Sequence, residues 1–353
     1  MLGVRDPRHP KPGTWHLDSV MTNKYLRLDT TAGSALIRRA SVAPISRVDG
    51  VIFDVDGVLI DVDESIQLAH KEAARLFFES LGWTGCAHLV EPEDVDAFKL
   101  AGGFNSDWKL AFAWMLLYLF KSARYGSMDG SFLRSAEPGI RDFAQGLAAR
   151  GGYLESAVSA VGEMCRTGEW DAVIAKWDRP RLQRLFQEVY SGDLCAEVYG
   201  FAAEMVTGSG LIHKDRPILD RRLLPSVKLG IATGRTAGET AVALRLMGWD
   251  DVFPPEGIVT EDDGFLKPDP RILKLAVDRL GVETAIYVGD TPDDLLTVRR
   301  YNEDFGAMLA CMVRTGLPGG DGEADIIADN VNAALIAVNR CIGGEICPDE
   351  KQR

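Results

Sequence analysis

The sequence predicts an α/β protein, a parallel sheet flanked by helices and interrupted by an all-helical insertion. Three observations predict it. Short apolar runs rich in β-branched residues recur along the chain, and each ends in a polar turn, as buried strands do. The later runs alternate with helix-like periodicity, the pattern of strand–helix units in a parallel sheet. The long segment between the first run and the second is helical in pattern and too long to be one crossover helix.

The elements follow in chain order. Residues 1–48 are weakly periodic, punctuated by Pro10, Pro12 and Pro44, and read as an N-terminal extension, partly flexible. The first strand is 51–55, running into Asp-Gly. Residues 62–217 then form the helical insertion, with helices expected over 65–81, 107–120, 140–150, 154–166 and 181–189. The chain returns for strands at 227–232, 285–288 and 307–313, ending in Thr233-Gly234-Arg235, Gly289-Asp290-Thr291 and Arg314-Thr315-Gly316. Residues 49–61 and 218–345 therefore make one core domain and 62–217 a second.

Bulk properties narrow the function. With 353 residues and 46% hydrophobic content, the chain can bury a large core, more often in two domains than in one. Its net charge of −13 repels nucleic acid and anionic membranes, so the expected partner is a small molecule. The most apolar stretch, 110–120, is too short to span a bilayer and reads as a buried helix. The six cysteines show no C-x-x-C pair and no zinc spacing, which fits reduced thiols in a cytoplasmic protein.

The chemistry gathers at the strand ends, where ligands bind in parallel sheets. The first strand delivers Asp54 and Asp56. Two carboxylates side by side repel, so a cation is implied, and hard oxygen ligands suit Mg²⁺. The third strand offers Asp290, then Asp293 and Asp294, to complete such a site. The second offers the Thr233 hydroxyl and the Gly234 N–H, suited to an oxyanion. Between the second and third strands, Pro268 and Pro270 stiffen the loop Leu266-Lys267-Pro268-Asp269-Pro270 that carries Lys267. Cations facing a carboxylate nucleophile and a phosphate are what phosphoryl transfer requires.

These blocks, DVDGVLI, IATGR, KPDP and GDTPDD, resemble in their order the four motifs of the haloacid dehalogenase superfamily. One Asp-x-Asp-Gly alone is equally a calcium loop or a plain turn. Four blocks at strand ends are specific. The resemblance covers residues 50–61 and roughly 225–340. It implies a Rossmann-like core with Asp54 as nucleophile, Asp56 as general acid/base and Lys267 as charge stabiliser. It implies Thr233 and Gly234 as phosphate binders, and Asp54, the Asp56 carbonyl oxygen, Asp290 and Asp294 around Mg²⁺. The helical insertion resembles the cap of the phosphoglycolate phosphatase and β-phosphoglucomutase branch. There the loop Ala101–Trp108 is the candidate substrate selector, with Asn105 and Trp108 as contacts. Arg235 reads equally as a substrate contact or a loop salt bridge.

True dehalogenases of the superfamily lack the second aspartate of the first motif. Asp56 is present, so the expected activity is a Mg²⁺-dependent phosphatase that passes through an aspartyl-phosphate. The alternatives are a phosphomutase, a phosphonatase using a cap lysine (Lys71, Lys99 or Lys109), and a non-catalytic binding module on the same fold.

Overall fold

The computed structural model describes residues 24–104, 106–313 and 324–346. Its centre is β3, Gly50–Phe53, four residues that are all buried. A strand with no exposed face needs neighbours on both edges and layers on both sides, and β3 has them. It pairs in parallel with β6, Lys228–Ala232, on one edge and with β8, Ala285–Gly289, on the other. The sheet continues through β9, Leu309–Val313, and β10, Ile326–Ala328, on the β8 side, and through β7, Ile258–Val259, on the β6 side. Helices Ala237–Leu246, Arg271–Leu280, Pro292–Asp304 and Val331–Ile342 follow individual strands, the last three packing on the sheet and the first meeting the helix Cys195–Tyr199 of the insertion.

The N-terminal region departs from expectation. Tyr25–Thr30 (β1) and Gly33–Arg38 (β2) form an antiparallel hairpin whose second strand pairs with β10. Residues 25–38 thus extend the core sheet, giving the order β1-β2-β10-β9-β8-β3-β6-β7. Tyr25, Leu26 and Ala35–Ile37 are buried, and the Tyr25 hydroxyl donates to the Ala324 carbonyl at 2.8 Å. Burying such side chains contributes about 1.5–3 kcal/mol each, which holds the hairpin to the sheet edge. Residues before 24 lie outside those described.

The insertion leaves the core through β4, Ile60–Asp61, and returns through β5, Arg216–Pro217, two short antiparallel strands paired with each other. Between them the chain is helical, as expected. The helix Asp63–Ser80 opens on Asp63 and Glu64, the favoured charge at a helix N-terminus. It buries Ile66, Ala69, His70, Ala73, Ala74, Phe77 and Phe78, the spacing of one helical face. The helix Asp107–Tyr125 is buried from Ala113 to Lys121 and stops at Gly126, whose φ of 61° favours glycine. Helices Ile140–Ala148, Tyr153–Met164 and Arg179–Ser191 match expected segments. Pro92–Leu100, Gly130–Ser135, Glu169–Ile174 and Cys195–Tyr199 are additional. No described helix is long and apolar enough to cross a membrane.

Candidate active site

Asp54 is the first residue past β3. Its N–H donates to the Val288 carbonyl at 2.9 Å, which continues the β3–β8 ladder by one step and fixes where the side chain leaves the sheet. The chain then winds tightly. The Val55 carbonyl accepts from the N–H groups of Leu59 and Ile60, and Gly57 takes a φ of 71° to make the turn. Asp54 is 5% exposed. One carboxylate oxygen accepts the Val55 N–H at 2.8 Å, and the other lies 2.6 Å from Lys267 Nζ.

Lys267 is a hub. Its Nζ also meets Asp294 Oδ1 at 2.7 Å and the Tyr287 hydroxyl at 3.2 Å. Asp294 is held from all sides. Its Oδ1 also accepts the Tyr287 hydroxyl. Its Oδ2 accepts the N–H groups of Asp290 and Thr291 and the Thr291 hydroxyl. The Thr291 N–H contact is half of the capping box that starts the helix Pro292–Asp304, the other half being the Asp294 N–H donated to the Thr291 hydroxyl oxygen, so one side chain both caps a helix and braces Lys267. The close approach depends on Gly289, where a Cβ would fall 2.4 Å from Asp294 Cβ.

Asp54, Asp290 and Asp294 each bring an oxygen within 4.8 Å of the others, a donor set that fits a hard divalent cation. Burial pushes the Asp54 carboxyl up to about 7 against the pull of Lys267, with the charges of Asp294 and Asp56 adding to the rise. Burial and the charges of Asp294 and Asp54 also carry Asp290 well above the usual carboxylate range. Burial acts the same way on Asp294, but the charge and hydrogen bond of Lys267 and the Thr291 contacts outweigh it and hold Asp294 low. A cation would relieve the repulsion that raises the first two.

Thr233 directly follows β6 and is 1% exposed. Its hydroxyl oxygen accepts the Arg235 N–H at 3.2 Å, and the following helix is capped by Thr236 instead. The Thr233 O–H is therefore not used as a helix cap. At Gly234 an added Cβ would meet nothing within 4 Å, so this glycine leaves open space at the site.

Asp56 takes a different partner from Asp54. Its Oδ1 lies 2.6 Å from Arg235 Nη2 and 2.8 Å from Nε. Both aspartates fall beyond the last strand residue, so the turn, and not the two-residue period of the strand, directs them. Arg235 itself is 6% exposed and also reaches Asp215 at 3.3 Å. Of the two sequence-based readings of Arg235, the ion pair is the one with observed contacts.

These residues open onto one cavity of about 670 Å³ that the insertion closes from the other side. Its lining includes Asp54, Asp56, Thr233, Gly234, Arg235, Lys267 and Asp290 from the core, and Lys99, Asp107, Trp108, Phe186 and Tyr190 from the insertion. Trp108 also packs edge-to-face on Phe186 at 5.0 Å, so it serves the core of the insertion as well as the cavity wall. Asn105 lies outside the described residues. Sequence reasoning did not find Asp215 or Tyr287. Neither sits in a local motif, and both are recruited across the fold. Of the three early lysines only Lys99 lines the cavity, since Lys71 pairs with Glu91 at 2.8 Å and Lys109 is exposed. Lys99 has no ion pair within 4 Å among the described residues. Burial pushes its amine down, but Asp107, Asp63, Asp56 and Asp290 outweigh this and keep it charged.

Known proteins share sequence and fold with this chain. A family profile described as "Hydrolase: haloacid dehalogenase-like hydrolase" matches residues 48–301. The structure of phosphatase Tt82 from Thermococcus thioreducens is 29% identical, covers 84% of this chain and 99% of its own, and superposes with a TM-score of 0.54. A structural-genomics target at 18% identity, with the same coverage and a TM-score of 0.56, shares the fold. An imidazoleglycerol-phosphate dehydratase from Phytophthora nicotianae is 27% identical over 259 residues. That match takes in 72% of this chain but only 42% of the dehydratase.

Proposed function

The chain belongs to the haloacid dehalogenase-like hydrolases, and from that premise we propose that it is a Mg²⁺-dependent phosphatase that hydrolyses a small phosphorylated metabolite through an aspartyl-phosphate on Asp54. The observation that carries this reading is the buried Asp54 carboxylate, 2.6 Å from Lys267 Nζ and clustered with Asp290, in the wall of a cavity lined by both the core and the insertion. A buried carboxylate raised in energy by its neighbours gains when an electrophilic phosphorus or a cation arrives. Similarity to phosphatase Tt82 supports phosphate-ester chemistry over carbon–halogen chemistry.

The residues divide the work as follows. The Thr233 hydroxyl and the Gly234 N–H donate to phosphate oxygens and orient the group. Lys267 offsets charge on the phosphate and on Asp54. Mg²⁺, held by Asp54, Asp290 and the Asp56 carbonyl oxygen, would supply further neutralisation of the transferring group. We read Asp294 as the brace of Lys267 more than as a ligand. It sits in the acidic cluster by distance, yet its two oxygens already take two and three donors, whereas each Asp54 oxygen takes one.

Asp54 attacks phosphorus as the bond to the leaving oxygen breaks, and Asp56 gives that oxygen a proton. Asp56 then takes a proton from the water that splits the aspartyl-phosphate. The insertion, residues 62–217, acts as a cap that excludes bulk water during these steps. A phosphonatase would need a neutral cavity amine, and the acids around Lys99 oppose that. Phosphate release from a panel of phosphorylated metabolites, with and without Mg²⁺ and with no bisphosphate activator, tests the proposal. Isomerisation of a sugar phosphate that needs a bisphosphate activator and gives no net phosphate release would instead indicate a mutase, and no release from any compound would count against hydrolysis.

A further inference from the structure

We propose that Arg235 is a positioning residue for Asp56, and that Asp215 anchors Arg235 at the junction with the helical insertion. The inference rests on the phosphatase reading, in which Asp56 handles the leaving-group proton.

Asp56 is the more exposed partner, its side chain 42% accessible against 6% for Arg235. A half-exposed aspartate on a turn has several rotamers open to it, and a fixed cation selects one. Arg235 does so through a single oxygen. Both its Nε, at 2.8 Å, and its Nη2, at 2.6 Å, meet Oδ1 of Asp56. No hydrogen bond to Oδ2 occurs among the described residues, so that oxygen remains to carry the proton.

The grip is useful only if Arg235 is itself immobile. Its Nη2 reaches the buried Asp215 at 3.3 Å, and its Cζ lies 6.0 Å from the centre of the Tyr190 ring. Asp215 in turn accepts the Ser65 hydroxyl at 2.5 Å and the Tyr190 hydroxyl at 2.8 Å. Ser65 lies on the helix Asp63–Ser80 and Tyr190 on the helix Arg179–Ser191, while Asp215 immediately precedes β5. The chain Ser65/Tyr190–Asp215–Arg235–Asp56 therefore runs from the insertion to the acid/base. Among the described residues Arg235 Nη1 is buried without a hydrogen bond, and the guanidinium makes its side-chain hydrogen bonds to these two carboxylates.

The step at issue is formation of the aspartyl-phosphate. The Asp54 oxygen–phosphorus bond forms, the phosphorus–leaving-oxygen bond breaks, and the proton on Asp56 moves to the leaving oxygen. A stabilised phenolate departs without that proton, whereas a more basic one needs it. The ratio kcat/KM reports this half-reaction relative to free enzyme and substrate. The experiment is the slope of log kcat/KM against leaving-group pKa over a series of substituted phenyl phosphates. It is run on the full chain with Mg²⁺ for the wild type, Arg235→Met, Arg235→Lys and Asp215→Asn.

We expect Arg235→Met to steepen the slope, losing about 10–100-fold more on the most basic leaving group than on p-nitrophenolate, a part of what general acid catalysis supplies. Asp215→Asn should steepen it less, and Arg235→Lys should recover part of the loss. The slope is a ratio within one preparation, so partial unfolding lowers all points together and cannot produce it. If Arg235→Met does not fold, Arg235→Lys and Asp215→Asn carry the same comparison. An equal loss across the series in these variants, the signature of a phosphate contact or a purely structural role, overturns the proposal while leaving the phosphatase reading intact. A wild type that turns over none of the series overturns both.

Discussion

Lys267 Nζ sits 2.7 Å from Asp294 Oδ1, and both side chains are buried. This pair is older in the logic of the site than any substrate contact, because it sets where Lys267 points before anything binds. Removing Asp294 leaves Lys267 paired with Asp54 at 2.6 Å but strands the Asp290 and Thr291 N–H groups that Asp294 accepts, and an unsatisfied buried donor costs about 1–3 kcal/mol. Asp294→Ala is therefore expected to lower the unfolding free energy by about that amount and to reduce kcat. Asp294→Asn, which keeps the shape and loses the charge, should cost less stability. Urea unfolding and steady-state rates measure the two effects. An Asp294→Ala protein with wild-type stability and rate would contradict the bracing role.

The same brace predicts the effect of a single methyl group. A Cβ at residue 289 would lie 2.4 Å from Asp294 Cβ, closer than side-chain atoms approach. Gly289→Ala should displace Asp294, and with it Lys267, without adding or removing any charge. We expect a loss of about 1–3 kcal/mol of stability, the range for overpacking, together with a fall in kcat of at least tenfold. Unchanged kinetics in this variant would show that the site tolerates movement of the brace.

Divalent metal should be visible without turnover. Asp54 and Asp290 repel in the metal-free protein, and a ligand that binds only the folded state stabilises it by about 2.7 kcal/mol at 100 times its Kd. Mg²⁺ should therefore raise the melting temperature, and a chelator should reverse the shift. Asp290→Asn removes one of the repelling charges, so it should raise stability without metal and abolish the Mg²⁺ shift. A full Mg²⁺ shift in Asp290→Asn would remove Asp290 from the metal site.

Stability should also respond to pH through Lys121, which is fully buried and whose Nζ has no hydrogen bond among the described residues, 5.1 Å from the Tyr118 ring centre. Burial, helped by the nearby charge of Arg134, brings its amine down to about 8 from 10.5. Above 10.5 the amine is neutral in both states and costs nothing. Between 10.5 and 8 the unfolded chain binds more protons, so stability falls as pH is lowered, and below 8 the penalty is complete. Lys121→Met should thus be more stable than wild type by about 1–3 kcal/mol at pH 7, with the gain shrinking as pH rises from 8 to 10.5. A gain that grows with pH would contradict the assignment.

The parts of the molecule that were legible in the sequence share a physical property. Strands β3, β6, β8 and β9 are largely buried runs whose composition announces them, and Asp54, Thr233 and Asp290 lie at or next to their ends. Lys267 is legible because Pro268 and Pro270 follow it in a stiff Lys-Pro-Asp-Pro run. The hairpin β1–β2 escaped notice because its turn at Thr31 and Ala32 lacks the Asn-Gly or Asp-Gly signal, and Arg27 and Asp29 dilute its apolar pattern. β7 and β10 are two and three residues long, too short for periodicity. Asp215 meets Arg235 and Ser65 across 20 and 150 residues, and such pairings leave no local mark. The Asp56–Arg235 pair joins residues 179 apart and is likewise without a local mark.

The central claim is that Asp54 is the nucleophile, and the direct measurement is turnover of p-nitrophenyl phosphate by wild type and by Asp54→Asn, each with Mg²⁺ and with chelator. The account predicts Mg²⁺-dependent release of p-nitrophenolate by the wild type and a loss of at least about 10³-fold in a folded Asp54→Asn protein, since removing a covalent nucleophile removes the route itself. Equal turnover by the two proteins would contradict it.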